Sequence, residues 1–146
     1  MMLKRTATAV WNGSGPKGSG KISTLSGAMK EQPYSAFARF ESEDGKAATN
    51  PEELIGAAHA SCFTLALGFQ ITKAGHEATE LKTLATVSME KQDIGYTIIN
   101  VHLDVTGSVP GIDAAKFSEL AENAKKGCPI SRALGAVPIT MTATFA

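Results

Sequence analysis

Apolar and polar residues alternate in short runs through the first forty positions, a period of two that predicts strands. "ATAVW" from Ala7 alternates, "GSGPKGSG" is a turn-rich break, and "KISTLSG" from Lys21 reads as a second short strand closed by glycine. After Pro33, "YSAFARFE" alternates again, with Phe37 and Arg39 on one face and Tyr34, Ala36, Ala38 and Phe40 on the other. Then the period changes. Asn50 is placed to cap a helix, Pro51 suits its first turn, and Glu53 completes an Asn-x-x-Glu capping box. The pattern predicts that this helix runs to about Lys73 and stops at Gly75. "LKTLATVSME" and "YTIINVHLDVTG" predict a hairpin around "KQDIG", with Ile99, Val101, Leu103 and Val105 turned to a core. Asp113 starts another helix, whose Phe117, Leu120, Ala121 and Ala124 form one stripe and whose end is marked by Lys125, Lys126 and Gly127. "CPISRALG" predicts a short helical turn and "AVPITMTATF" a last strand. Strands, helix, strands, helix, strand is an α+β order, and no repeat or linker divides residues 1–146, so one domain is expected.

The helix from Pro51 to Lys73 is apolar nearly all round, so both sides need cover. Its N-terminal half is built of small residues (Gly56, Ala57, Ala58, Ala60, Ser61), which admit a close helix crossing. Two copies packed together would meet that need. His59, Ser61, Thr64 and Gln70 interrupt the stretch Leu54 to Ile71, which therefore reads as a buried helix of a soluble protein and not a membrane span. Composition agrees: 146 residues, 43% hydrophobic and 19% charged, is ordinary for a globular chain. Fourteen basic residues balance fourteen acidic ones, which leaves no electrostatic footprint for nucleic acid or an anionic membrane. "MMLKRTATAVW" shows no apolar run of the secretory kind, so a cytoplasmic location is expected.

The chemistry rests on two cysteines. Cys62 lies inside the apolar helix, where a free thiol commonly packs as a small hydrophobe. Cys128 lies between Gly127 and Pro129, where an N-cap residue belongs. Backbone N–H groups there, with Lys125, Lys126 and Arg132 nearby, favour a thiolate. Taken alone, Cys128 is the more reactive-looking thiol. A metal reading also exists, because His59 and Cys62 share a helix face three residues apart and Cys128 could add a third ligand. Against it, no second close-spaced ligand pair is present, and solvated roles suffice for His76 and His102.

"NPEELIGAAHASCF", "KKGCPISRAL", "VPGIDAAKF" and "QPYSAFARFE" together resemble the OsmC/Ohr family, the osmotically inducible and organic hydroperoxide resistance proteins. "GAAHASCF" and "QPY" are more similar to the osmotically inducible branch. The resemblance implies an OsmC-like α+β fold, with antiparallel sheets around a long buried central helix, in an intertwined homodimer. It implies a thiol peroxidase without metal or cofactor, acting on organic hydroperoxides and less efficiently on hydrogen peroxide, and reduced by a dithiol of the dihydrolipoyl type. The family's peroxidatic cysteine falls on Cys62 and its resolving cysteine on Cys128, the reverse of the order that helix-terminus chemistry favours. Its arginine falls on Arg39 and its glutamate on Glu52.

Those residue types fit the chemistry. Thiolate attack on an O–O bond leaves a sulfenic acid, which a second thiol converts to a disulfide that an external dithiol reopens. Arg39 would stabilise the thiolate, and Glu52 would fix the guanidinium by two-point pairing. Without the resemblance, Arg39 reads as a surface arginine and Glu52 as a first-turn carboxylate. Tyr34, Phe37, Phe40 and Phe63 are candidates for an apolar approach. Glu52 and Cys62 are ten residues apart, about 15 Å on a straight helix, too far to meet one guanidinium. Either the helix is broken or Glu52 reaches Cys62 from the other copy, and no proline breaks "ELIGAAHAS". The rival from another class is a non-enzymatic dimeric protein binding an apolar ligand on the same helix surface.

Overall fold

In the computed structural model, which describes all 146 residues, the N-terminal alternation does produce strands. β1 (Ala7–Asn12), β2 (Ser19–Thr24) and β3 (Gln32–Ser35) form an antiparallel sheet in that order. The Trp11 and Tyr34 rings meet across it at 5.4 Å between centroids. The alternation then stops short of the expected end. Ser35 Oγ accepts the Ala38 amide at 3.1 Å and starts α1 (Ala36–Phe40), so "AFARF" is a helical turn and not a strand. Five residues fit either period, and the capping serine decides between them.

The chain forms two compact units, residues 1–54 and residues 55–146. The first has little core of its own. Ala38 is its one buried apolar residue, and every residue of β1 is exposed.

α2 (Pro51–Lys73) is a single unbroken helix of 23 residues. Asn50 Oδ1 accepts the Glu53 amide at 2.8 Å, as the capping motif predicts. The reciprocal half differs, because the Glu53 carboxylate accepts from the Thr49 hydroxyl at 2.8 Å instead of from the Asn50 amide. At the other end Gly75, at φ +85°, lets the His76 amide return to the Ile71 carbonyl at 3.1 Å and close the helix. By length and composition α2 would suffice to cross a membrane, a test that core helices also pass. Its buried positions are Glu52, Gly56, His59, Phe63, Leu67 and Ile71, a stripe at helical spacing. One chain alone does not cover the helix on both sides: Leu65 is 64% exposed and Phe69 68%.

In the second unit β4 (Glu80–Gln92) and β5 (Gly95–Ser108) form the predicted antiparallel hairpin around a two-residue turn. Val101, Leu103 and Val105 are buried as expected, but Ile99 is 36% exposed. The register shifts there, with Ser88 opposite Asn100 and Met89 opposite Ile98. Ile99 is the extra residue of a bulge, which breaks the alternation that would have turned it inward. β6 (Ile139–Phe145) pairs with β5 in parallel, so this sheet, in the order β4-β5-β6, is mixed and not antiparallel throughout. The two helices between these strands carry the chain back to the starting end, which is what a parallel pairing requires.

α3 (Ala114–Gly127) is capped by Asp113, whose Oδ1 accepts the Lys116 amide at 2.8 Å. It buries Phe117, Leu120, Ala121 and Ala124, the predicted stripe. Gly107 on β5 makes room for it, since a Cβ there would lie 2.5 Å from the Phe117 ring. Together with Phe63, Leu67 and Ile71 of α2 and the inward residues of β5, this stripe forms the core, and Cys128 belongs to it.

Candidate active site

The two cysteines, 66 residues apart in sequence, meet in the second unit with their sulfurs at 3.1 Å. Both are free thiols. Cys62 comes from the middle of α2 and is partly buried, whereas Cys128 is completely buried. A covalent S–S bond is about 2.05 Å, so the sulfurs are roughly 1 Å from bonding distance.

Cys128 occupies the junction of two helices. Its amide donates to the Ala124 carbonyl at 2.8 Å, closing α3, and its carbonyl accepts the Arg132 amide at 3.1 Å. Its sulfur caps α4 (Pro129–Ala133), accepting the Ser131 amide at 3.5 Å. Gly-Cys-Pro is therefore read correctly as a helix start. Burial works to raise the Cys128 thiol. The Ser131 amide, the Cys62 contact, the Ser131 hydroxyl and the Ile130 backbone together outweigh it and bring it below its ordinary value. Burial also pushes the Cys62 thiol up, and its contact with Cys128 adds to this against a weaker opposing bond to the Ile130 backbone. Donors converge on Cys128, which favours the thiolate there over Cys62.

Arg39 and Glu52 meet in the first unit. Arg39 Nη2 donates to Glu52 Oε1 at 2.7 Å and Nε donates to Oε2 at 3.1 Å, a two-point pair. Glu52 is nearly buried, while the Arg39 side chain keeps 36% of its surface exposed. The guanidinium also lies 4.9 Å from the centre of the Phe40 ring. The Glu53 carboxylate, by contrast, is exposed and accepts from Thr49, so of the two adjacent carboxylates Glu52 is the one that pairs with Arg39. A pocket of about 200 Å³ opens beside Arg39, lined by Trp11, Tyr34, Phe40 and Pro51.

Of the four aromatics expected to line an apolar approach, Tyr34 and Phe40 line the pocket beside Arg39. Phe37 lies instead in a polar surface depression with Asp44 and Lys46, because α1 is helical. Phe63 is fully buried in the core. Trp11, which the residue patterns do not single out, lines the same pocket as Tyr34 and Phe40.

His59 is fully buried, and its Nε2 lies 2.7 Å from Ser131 Oγ, which gives that nitrogen a protein partner. No cluster of three or more His, Cys, Asp or Glu side chains could hold a metal ion. Along the exposed face of α2, Ala57, Leu65, Phe69 and Thr83 line an open groove of about 830 Å³.

Residues 43–142 match the family of OsmC-like proteins. The chain is 45% identical over 136 residues to peroxiredoxin OsmC of Escherichia coli, covering 93% of each chain. It is 35% identical over 97 residues to the organic hydroperoxide resistance protein OhrA of Bacillus subtilis, covering 64% of this chain and 66% of that one. In three dimensions it is similar to an organic hydroperoxide resistance protein from Elizabethkingia anophelis, at 22% identity and a TM-score of 0.74 over 100% of this chain and 99% of that one. This last likeness concerns the fold.

Proposed function

The chain belongs to the OsmC-like protein family, closer in sequence to its OsmC than to its Ohr relatives, and from that premise we propose that it is a cysteine-based peroxidase that reduces hydroperoxides. The observation that carries the reading is the pair of free thiols at 3.1 Å, one within reach of solvent and one sealed in the core.

Accessibility supports one order of events. Cys62 is the sulfur that a hydroperoxide can approach, so it makes the first attack. Its sulfur bonds to the distal peroxide oxygen, the O–O bond breaks, and the departing alkoxide takes a proton to become an alcohol, or water from hydrogen peroxide. Cys128 then attacks the sulfenic sulfur. The S–S bond forms, the S–O bond breaks, and hydroxide leaves as water. A dithiol of the dihydrolipoyl type reopens the disulfide by exchange.

The first attack needs a thiolate on Cys62, yet the local donors place the charge on Cys128. A guanidinium beside Cys62 would reverse that preference. The Arg39–Glu52 pair is the source we assign, and Glu52 holds the planar group in one direction. Because α2 is unbroken, Glu52 and Cys62 of one chain are separated by about 15 Å along the helix. We therefore place Arg39 and Glu52 of one copy beside Cys62 of another, in a homodimer. The uncovered Leu65 and Phe69 and the poorly buried first unit support such a dimer. The 200 Å³ aromatic pocket beside Arg39 suits the organic part of a hydroperoxide. A cytoplasmic setting, where free thiols persist, fits the cycle.

The groove along α2 favours a second reading, an apolar-ligand carrier without catalysis. Turnover of cumene hydroperoxide with a lipoyl dithiol separates the two. A peroxidase consumes it catalytically and prefers it to hydrogen peroxide, whereas a carrier turns over neither and keeps its ligand when both cysteines become serine.

A further inference from the structure

His59 is a fully buried imidazole that the peroxidase chemistry leaves unused. Its Nδ1 has no hydrogen-bond partner, while Nε2 meets Ser131 Oγ at 2.7 Å. Ser131 is itself buried, its amide donates to the sulfur of Cys128 at 3.5 Å, and its hydroxyl is among the groups that favour the thiolate there. We infer that His59 and Ser131 form a donor relay, His59 Nε2–H to Ser131 Oγ–H to Cys128 Sγ, that prepares Cys128 as the resolving nucleophile. Ser131 touches the reacting sulfur, and His59 is a positioning residue that acts through it.

The tautomer follows from the hydrogen-bond accounting. With its hydrogen on Nε2, His59 donates to Ser131 and leaves a bare nitrogen at Nδ1. The opposite tautomer would bury an unpaired N–H and would occupy the Ser131 hydrogen, turning the hydroxyl away from the sulfur. Burial lowers the tendency of His59 to protonate, which keeps the ring neutral and the relay directed one way. Other groups near Cys128 do not duplicate it. Cys62 faces it from α2 and competes for the charge. Lys125 and Lys126 of α3 and Arg132 of α4 line a surface pocket beside Ser131, and Lys125 is paired with Glu122. The apolar cluster that includes Cys128 draws its side chains from α2, α3, α4 and the three strands β4, β5 and β6.

The role in resolution rests on the peroxidase reading, in which Cys128 attacks the sulfenic sulfur of Cys62 and water leaves. The relay itself can be measured without any peroxide. Ultraviolet titration of thiolate in the reduced chain is expected to show one thiol ionising early. Ser131→Ala and His59→Phe should each raise that midpoint by about one unit, about tenfold less thiolate near neutral pH. Ser131→Thr and His59→Gln, which keep a hydroxyl and an N–H in place, should restore it. The double variant Ser131→Ala with His59→Phe should move no further than Ser131→Ala alone. If His59→Phe fails to fold, the Ser131→Ala and Ser131→Thr pair decides. An unmoved midpoint in Ser131→Ala, or additive shifts in the double variant, overturns the relay. An intact early midpoint in a chain that consumes no hydroperoxide would instead sink the peroxidase reading and leave the relay standing.

Discussion

Replacing Glu52 by alanine tests whether the arginine needs a fixed direction or merely a charge. The substitution removes two hydrogen bonds to the guanidinium, at 2.7 and 3.1 Å, from a carboxylate that is nearly buried. A hydrogen bond to a charged group contributes about 1.5–3 kcal/mol. Arg39 is partly exposed, so water takes over some of what is lost, and about 2 kcal/mol of orientation is a reasonable figure for the pair. If that orientation is expressed in the barrier to Cys62 oxidation, the rate falls about thirtyfold. Stopped-flow measurement of the first oxidation, with cumene hydroperoxide in a single turnover, reads this step without the dithiol. Glu53→Ala is the control on the adjacent residue. It loses one exposed bond from Thr49 and a first-turn charge, a few tenths of a kcal/mol of stability, and should leave the rate unchanged. Asn50→Ala removes the true cap and should cost about 0.5–2 kcal/mol in denaturant titration with a normal rate. Equal slowing by Glu52→Ala and Glu53→Ala at matched stability would refute the reasoning, as would Glu52→Ala oxidising at the wild-type rate.

Three further expectations follow from the same geometry. Cys62→Ser should consume no peroxide, whereas Cys128→Ser should oxidise once and accumulate sulfenic or sulfinic acid at Cys62; mass spectrometry showing the reverse pattern would exchange the two roles. Mixed dimers of Cys62→Ser with Glu52→Ala should regain activity above either parent homodimer, and purified mixed dimers without recovery would place the glutamate's action within its own chain. Burial holds His59 below its ordinary value of 6.5, so the unfolded chain binds a proton that the folded chain refuses. Stability is then full above about pH 6.5 and declines as pH falls below it, which urea midpoints should show; His59→Gln should remove that part of the decline, and an unchanged pH dependence in this variant would contradict the linkage.

The sequence made periodic burial easy to read and single departures from it hard. α2, α3 and the β4–β5 hairpin follow from repeated spacing, and Asn50, Asp113 and Gly75 mark ends by chemistry local to a few residues. α1 was misread because Ala36 to Phe40 alternates as well as it spirals, and only the Ser35 cap distinguishes the two. The bulge at Ile99 adds one residue to a run whose neighbours keep a strict alternation, so nothing in the run announces it. The parallel pairing of β6 is a long-range choice that no local pattern encodes. In the site, Gly-Cys-Pro disclosed a capping cysteine, while the meeting of Cys62 with Cys128 was implied only by family resemblance. His59 and Cys62 do share a helix face, which is why a metal was worth weighing. The structure gives His59 a serine 72 residues away, a partner that spacing along one helix cannot reveal.

The double position of Cys128 makes the backbone a reporter of redox state. The same residue ends α3 through its amide and begins α4 through its carbonyl and sulfur. A thiolate offers the Ser131 amide a charged acceptor, and a sulfur bonded to Cys62 offers a neutral one. The amide hydrogen of Ser131 is therefore held more weakly after oxidation, and its chemical shift and exchange rate should change in step with the sulfur. An isotope-labelled sample would show the fraction of oxidised chains directly, with no reagent competing for either thiol.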